Sequence, residues 1–188
     1  MGFGLLFIGY LFAFGFTAGA NYIVSIVGII GSIIIFSASK KLSRYDKSFN
    51  LCKISGIILG ISYVFNTAIQ LSASTSVISA DSILVKLAKI LIILSVFTFN
   101  AFMYKGIYKI AHKVDDVKLS NDAVRDFIFM VAYYLTMSLT FISPYISLIA
   151  SILSIVWLVL SVWLTLSAYM RICLPGDEDM PEKKKSKD

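Results

Sequence analysis

No charged side chain occurs from Met1 to Ala38, and nearly every residue there is apolar or small. The pattern returns over Ile54–Tyr104, interrupted by Asp81, Lys86 and Lys89, and over Phe127–Met170, which carries no charge. A helix crosses a bilayer with about 20 apolar residues, and uncharged stretches this long mark such helices. Each block exceeds one crossing. Gly15, Gly19 and Asn21 are turn formers dividing the first block, which predicts a short span at Phe3–Phe16 and a second at Tyr22–Ser39. The first is short for a bilayer and calls for local thinning or re-entry.

The Ser-rich stretch Ser72–Ser82 divides the second block into spans at Lys53–Leu71 and Ile83–Tyr104, with Asp81 or Ser82 capping the latter. Ser143-Pro144 divides the third, because Pro lacks an N–H and pushes its predecessor out of the α region. Spans at Phe127–Ile142 and Tyr145–Met170 follow, the last stopped by Leu174-Pro175-Gly176. The expected fold is all-α: an integral membrane bundle of about six transmembrane helices in three hairpins over residues 1–174. The charged tail, 175–188, is expected to be disordered.

The polar segments between spans are distinctive. Lys40-Lys41-Leu42-Ser43-Arg44-Tyr45-Asp46-Lys47 is a basic turn. Beyond Tyr104 the fourth helix should continue to Val114, with Lys105, Lys109, His112 and Lys113 on one face and Tyr104, Ile107, Tyr108 and Ala111 on the other. Such a basic amphipathic extension suits lipid headgroups. In the acidic segment Asp115–Asp126, Ser120 is the expected N-cap, and Asp122 pairs with Arg125 one turn later. Tyr45, Tyr104, Tyr108 and Tyr169 at one end, and Tyr22 and Tyr145 at the other, form the expected aromatic belts.

Composition agrees with this pattern. Of 188 residues, 58% are hydrophobic and 15% charged, whereas soluble domains carry roughly 45–50% and 25%. The net charge of +6 is concentrated between or after the apolar blocks, which argues against nucleic-acid binding and for membrane topology. Lysine and arginine cluster after the second span, after the fourth and in the tail, so both termini are expected on the cytoplasmic side of a bacterial cell membrane. Leu5–Phe16 followed by Ala18-Gly19-Ala20 has the outline of a signal peptide but lacks a positive n-region, so the first span is expected to stay.

Little chemistry is encoded. The expected spans hold no Asp or Glu, His112 is the only histidine, and Cys52 and Cys173 lie far apart. No catalytic, cofactor-binding or metal-binding set follows, and the cysteines are expected to be reduced, buried and inert. Lys86 and Lys89 lie in the first turns of their span, where snorkelling accounts for them. A polar amide in hydrocarbon needs a partner. Asn66, Thr67 and Gln70 in the third span and Asn100 in the fourth are therefore expected in interhelical hydrogen bonds or around a polar pocket. Gly15 with Gly19, Gly28 with Ser32, and Gly56 with Gly60 recur at the spacing that lets helices approach closely. Lys40, Lys41, Arg44, Lys105, Lys109 and Lys113 are the expected contacts with anionic lipid.

The opening Gly2-Phe3-Gly4-Leu5-Leu6-Phe7-Ile8-Gly9-Tyr10, with Lys41-Leu42-Ser43-Arg44-Tyr45 later, resembles small uncharacterised polytopic membrane proteins of Gram-positive bacteria. The resemblance covers the first quarter of the chain and implies no functional residue. Size and span count are also similar to the substrate-binding S components of energy-coupling-factor vitamin transporters. Those proteins carry an alanine-rich motif where this first span is Gly- and Phe-rich. Two functions are expected: a non-catalytic subunit or scaffold associating with another membrane protein, a second copy or anionic lipid; and, alternatively, a transport or solute-binding component with an intramembrane pocket.

Overall fold

The computed structural model describes residues 2–15, 22–75, 82–140 and 145–172. All described elements are helical: α1 (Gly2–Tyr10), running into a π-helical turn (Leu11–Gly15); α2 (Tyr22–Leu42); α3 (Ser48–Ser74); α4 (Ile83–Lys113); α5 (Val117–Leu139); and α6 (Ile146–Arg171). Four segments are long and apolar enough to cross a membrane: Ser25–Leu42, Ser48–Ser72, Ile83–Lys113 and Ile146–Arg171. The first apolar helix, Gly2–Phe14, is shorter. At 1.5 Å per residue it extends about 20 Å, less than the ~30 Å of a hydrocarbon core.

Each helix packs on its neighbours in the chain, and α1 closes the circle against α6. Large apolar side chains also point outward: Ile33, Ile61, Leu94, Leu135 and Val159 are all more than half exposed. So much outward apolar surface fits hydrocarbon as solvent. The interior is filled by Phe3, Leu6, Tyr10, Phe99, Met103 and Tyr104.

Glycine sets the closest approach. A Cβ on Gly31 would lie 2.4 Å from the backbone nitrogen of Ala13, so α2 and the π-helical turn touch backbone to backbone. Gly28 makes room for the Tyr63 ring, and Gly60 faces the Ser32 hydroxyl, with 2.8 Å from a built Cβ in each case. Gly56 faces only the Ile35 side chain, at 3.2 Å. Gly15 ends the π-helical turn, and Gly19 lies outside the described residues.

Several boundaries depart from expectation. Helix α5 begins at Val117, ten residues before the apolar block, and its N-cap is Asp116 rather than Ser120. The Asp116 carboxylate accepts the Leu119 N–H at 3.0 Å, and Ser120 is buried inside the helix. The chain reverses between α4 and α5 through Asp115, whose φ of 55° is a left-handed conformation that Asp tolerates better than most residues. The Asp116 N–H then reaches back to the Ala111 carbonyl at 2.9 Å, closing the end of α4. Helix α3 extends from Ser48 to Ser74, so Ser72–Ser74 are helical rather than loop. Their hydroxyls support this: Ser72 donates to the Ala68 carbonyl at 2.9 Å and Ser74 to that of Leu71 at 2.8 Å. Ser82 caps α4, while Asp81, the Ser143-Pro144 break and the tail lie outside the described residues.

Candidate functional site

The polar atoms of the bundle interior are mostly paired across helices. Tyr10 in α1 donates to Asn100 Oδ1 in α4 at 3.0 Å, and the Asn100 amide donates to the Val96 carbonyl at 2.9 Å. The Trp157 indole N–H in α6 donates to the Tyr104 hydroxyl at 2.7 Å. Ser161 donates to the Trp157 carbonyl at 2.8 Å. With its hydrogen so placed, Ser161 Oγ accepts from Tyr104 at 2.5 Å. Tyr63 in α3 donates to the Ala13 carbonyl in the π-helical turn at 2.8 Å. Ser62 and Ser95 link α3 to α4 at 2.7 Å. Each bond removes a polar group from hydrocarbon, where an unpaired one costs several kcal/mol.

Beside this network lies a cavity of about 380 Å³, among the π-helical turn and helices α3 to α6. Its walls include Phe14, Tyr63, Tyr133, Tyr134 and Trp157, with Val96 on α4. Tyr133 stacks on Trp157, ring centres 5.4 Å apart and planes 14° from parallel. Tyr134 meets Trp157 at 6.0 Å in an edge-on arrangement. Two cavity groups already have partners: the Trp157 N–H is given to Tyr104 and the Tyr63 hydroxyl to Ala13. The Tyr133 and Tyr134 hydroxyls have no hydrogen-bond partner among the described residues, and both side chains are partly accessible. The cavity thus offers aromatic faces and two free phenol groups.

The expected pocket residues do not converge there. Asn66 donates to Ser25 on α2 at 2.9 Å, Thr67 turns back to the Tyr63 carbonyl at 2.8 Å, and Asn100 is engaged with Tyr10. Gln70 is half-buried near the end of α3. No hydrogen bond joins Asn66 to Asn100 among the described residues. Tyr104, expected in an aromatic belt, is instead in the core. A helical-period signal for the cavity was present: Trp157, Ser161 and Thr165, and Tyr134, Met130 and Asp126, recur every four residues on one face.

At the end of this core nearer the α4–α5 turn sits Asp126, immediately before the expected fifth span and fully buried. Arg125 donates to its Oδ1 from two nitrogens, at 3.0 and 2.9 Å, and also pairs with Asp122 at 3.0 Å. Asp126 Oδ2 has no partner. Burial pushes the Asp126 carboxyl up to about 6, against the pull of Arg125.

The basic residues at this end are exposed: Lys40, Lys41, Arg44, Lys105, Lys109 and Lys113. Lys113 is already engaged, pairing with Asp46 Oδ2 at 2.8 Å. Burial raises the Asp46 carboxyl, but Lys113 and the Ser48 N–H outweigh it and hold the group at about 2. Arg171 pairs with Asp116 at 3.0 Å. Tyr108 turns outward and stacks on His112. Cys52 is a buried free thiol accepting from the Ser39 hydroxyl at 3.5 Å, and Cys173 lies outside the described residues. Among the described residues, no three His, Cys, Asp or Glu side chains converge as metal ligands.

No family model matches the chain, and neither the curated proteins nor the solved structures yield a match.

Proposed function

We propose that this chain is a non-catalytic, multi-pass protein of the bacterial cytoplasmic membrane that binds a small, planar, largely apolar solute, as a solute-binding or transport component. The observation that carries this reading is the cavity of about 380 Å³ with five aromatic walls and two unpaired phenol hydroxyls. Small-molecule sites are commonly 300–1,000 Å³, mostly apolar, with few polar groups that fix orientation. The cavity's aromatic faces favour a flat ligand, and its hydroxyls favour a ligand with one or two hydrogen-bonding atoms. Six crossings, in three hairpins with both termini cytoplasmic, accompany the proposal. Exposed cations at the ends of α2 and α4 support that orientation.

Trp157 reports on the cavity directly. In a Trp163→Phe background it is the only tryptophan. Titration of nanodisc-reconstituted protein with 4-nitrophenol and 1-nitronaphthalene should then give saturable quenching. Val96→Phe, which places a ring in the cavity, should abolish saturation. Linear quenching, equal in both proteins, would show only partition into lipid and would end the proposal.

The subunit reading keeps one specific support. An outward groove of about 360 Å³ runs between α2 and α3, with Ser32, Gly56 and Gly60 at its floor and Ile33, Ile61 and Val64 on its sides. Small residues of this kind admit a neighbouring transmembrane helix. A photo-crosslinker at Ile61 should yield a discrete adduct in native membranes. A single unshifted band would remove this reading.

A further inference from the structure

A second concave feature lies at the inner rim, remote from the aromatic cavity and independent of its role. The turn Ser43–Lys47 joins α2 to α3, and the last turns of α4 lie against it. Asp46 holds this corner together. Its Oδ1 accepts the Ser48 N–H at 2.8 Å, and its Oδ2 accepts Lys113 at 2.8 Å. The same ammonium donates to the Tyr45 carbonyl at 3.0 Å, tying α4 to the turn. The result is a groove of about 470 Å³ lined by Ser43, Arg44, Lys47 and Lys109 beside the Asp46–Lys113 pair.

Charge in this groove is unbalanced. Lys113 and Asp46 cancel. Arg44, Lys47 and Lys109 have no carboxylate partner among the described residues. The Ser43 hydroxyl donates to the Lys40 carbonyl at 2.9 Å, so it adds no free donor. Three cations drawn to one concavity repel one another, and an oxyanion placed between them removes that penalty. Arg44 can grip two oxygens in its planar fork, and the two ammonium groups add point charges. A tetrahedral phosphate offers enough terminal oxygens for all three, whereas a carboxylate has two. Lys40, Lys41 and Lys105 do not line the groove. They contribute only the diffuse surface attraction expected of any basic juxtamembrane segment.

We propose that this groove is a binding site for a phosphate group, presented either by an anionic lipid headgroup or by a soluble phosphorylated compound. Recognition rests on Arg44, Lys47 and Lys109, with the Asp46–Lys113 clip fixing the wall.

Two charge-matched variants of the full chain separate a built site from surface charge. Arg44→Gln with Lys109→Gln removes two cations inside the groove. Lys40→Gln with Lys41→Gln removes two cations outside it. All four side chains are exposed, so neither double variant disturbs the core. Binding is measured in neutral detergent by native mass spectrometry and calorimetry, with three probes: inorganic pyrophosphate, short-chain phosphatidic acid and short-chain phosphatidylcholine. The expected result is one saturable site for pyrophosphate, phosphatidic acid or both, and none for phosphatidylcholine. The groove variant should weaken it more than about tenfold, and the flanking variant by less than about threefold. Pyrophosphate binding identifies a soluble ligand, and binding of phosphatidic acid alone identifies a headgroup. Equal loss in the two double variants would overturn the proposal, as would absence of saturable binding by either phosphate probe.

Discussion

Replacing Asp126 by Asn should make this protein more stable at neutral pH, and the gain should vanish in acid. In the folded chain the carboxyl is fully buried, with one oxygen on Arg125 and the other unpartnered. Its folded value of about 6 lies above the ordinary 3.8. A raised carboxyl means that folding favours the proton-bound form. Below about pH 4 both folded and unfolded chains carry that proton, and no penalty arises. As pH rises towards 6 the unfolded chain ionises first, and stability falls. Above 6 the penalty is complete. About two pK units, at 1.36 kcal/mol each, make it roughly 3 kcal/mol.

Asparagine has the same shape and no charge, so it removes that penalty. The value of about 6 already includes the pull of Arg125, so the remaining offset is the amide hydrogens that need acceptors, about 1–2 kcal/mol. Arg125 keeps Asp122 in either case. The expected net gain is about 1–2 kcal/mol at pH 7.5, or a rise in Tm of roughly 5 °C for a chain of this size. At pH 4 the gain should be absent or reversed. Thermal unfolding in micelles can be followed at both pH values by the emission of the buried Trp157 in a Trp163→Phe background. A lower Tm for Asp126→Asn at pH 7.5, or the same shift at both pH values, would refute this reasoning.

Asp46→Asn should act in the opposite direction. The Asp46 carboxyl lies at about 2, below its ordinary value, so its contribution is present above about pH 4 and lost as pH falls towards 2. The variant should lower Tm at pH 7.5. Gly31→Ala should destabilise by about 3 kcal/mol or more, because the new methyl would meet Ala13 backbone at 2.4 Å. Gly56→Ala, facing only a movable Ile35 methyl, should change stability by less than about 1 kcal/mol. Parallel melts of the two glycine variants check this contrast. Tyr63→Phe should cost about 1–2 kcal/mol through the bond lost at the Ala13 carbonyl, read as a lower Tm with unchanged helicity. In nanodiscs of brominated phosphatidylcholine, Trp163 (60% exposed) should be quenched far more than Trp157 (7% exposed), as single-tryptophan variants would report.

The long apolar helices were legible wherever composition alone decides: α2, α3, α4 and α6 are each long and apolar enough to cross a membrane. The start of α5 was not legible, because the apolar signal begins at Phe127 while the helix is set by a local hydrogen bond at Asp116. Both Asp116 and Ser120 are competent caps, and the sequence carries no sign of which one the α4 reversal at Asp115 selects. Asp126 was hidden for a related reason. It reads as the last residue of a polar segment, and only the packing of α5 against α4 and α6 buries it.

The aromatic cavity leaves little trace in a hydropathy profile, because its lining is apolar by composition. In a membrane chain an unpaired amide is costly, and on that ground the sequence points to Asn66 and Asn100. Asn66 gives one N–H to Ser25, and Asn100 is held by Tyr10 and the Val96 carbonyl, so both amides are engaged within the bundle rather than gathered around one space. Tyr and Trp count as apolar in a hydropathy profile, yet each carries one polar atom that must be paired or left facing a space. Tyr63, Tyr104 and Trp157 pair theirs within the bundle, whereas Tyr133 and Tyr134 do not. In a helical membrane protein, an aromatic hydroxyl left unpaired among paired ones therefore points to a ligand space more directly than an amide does. Here that indicator selects the face of α5 that Asp126 continues about two helical turns nearer the start of the helix.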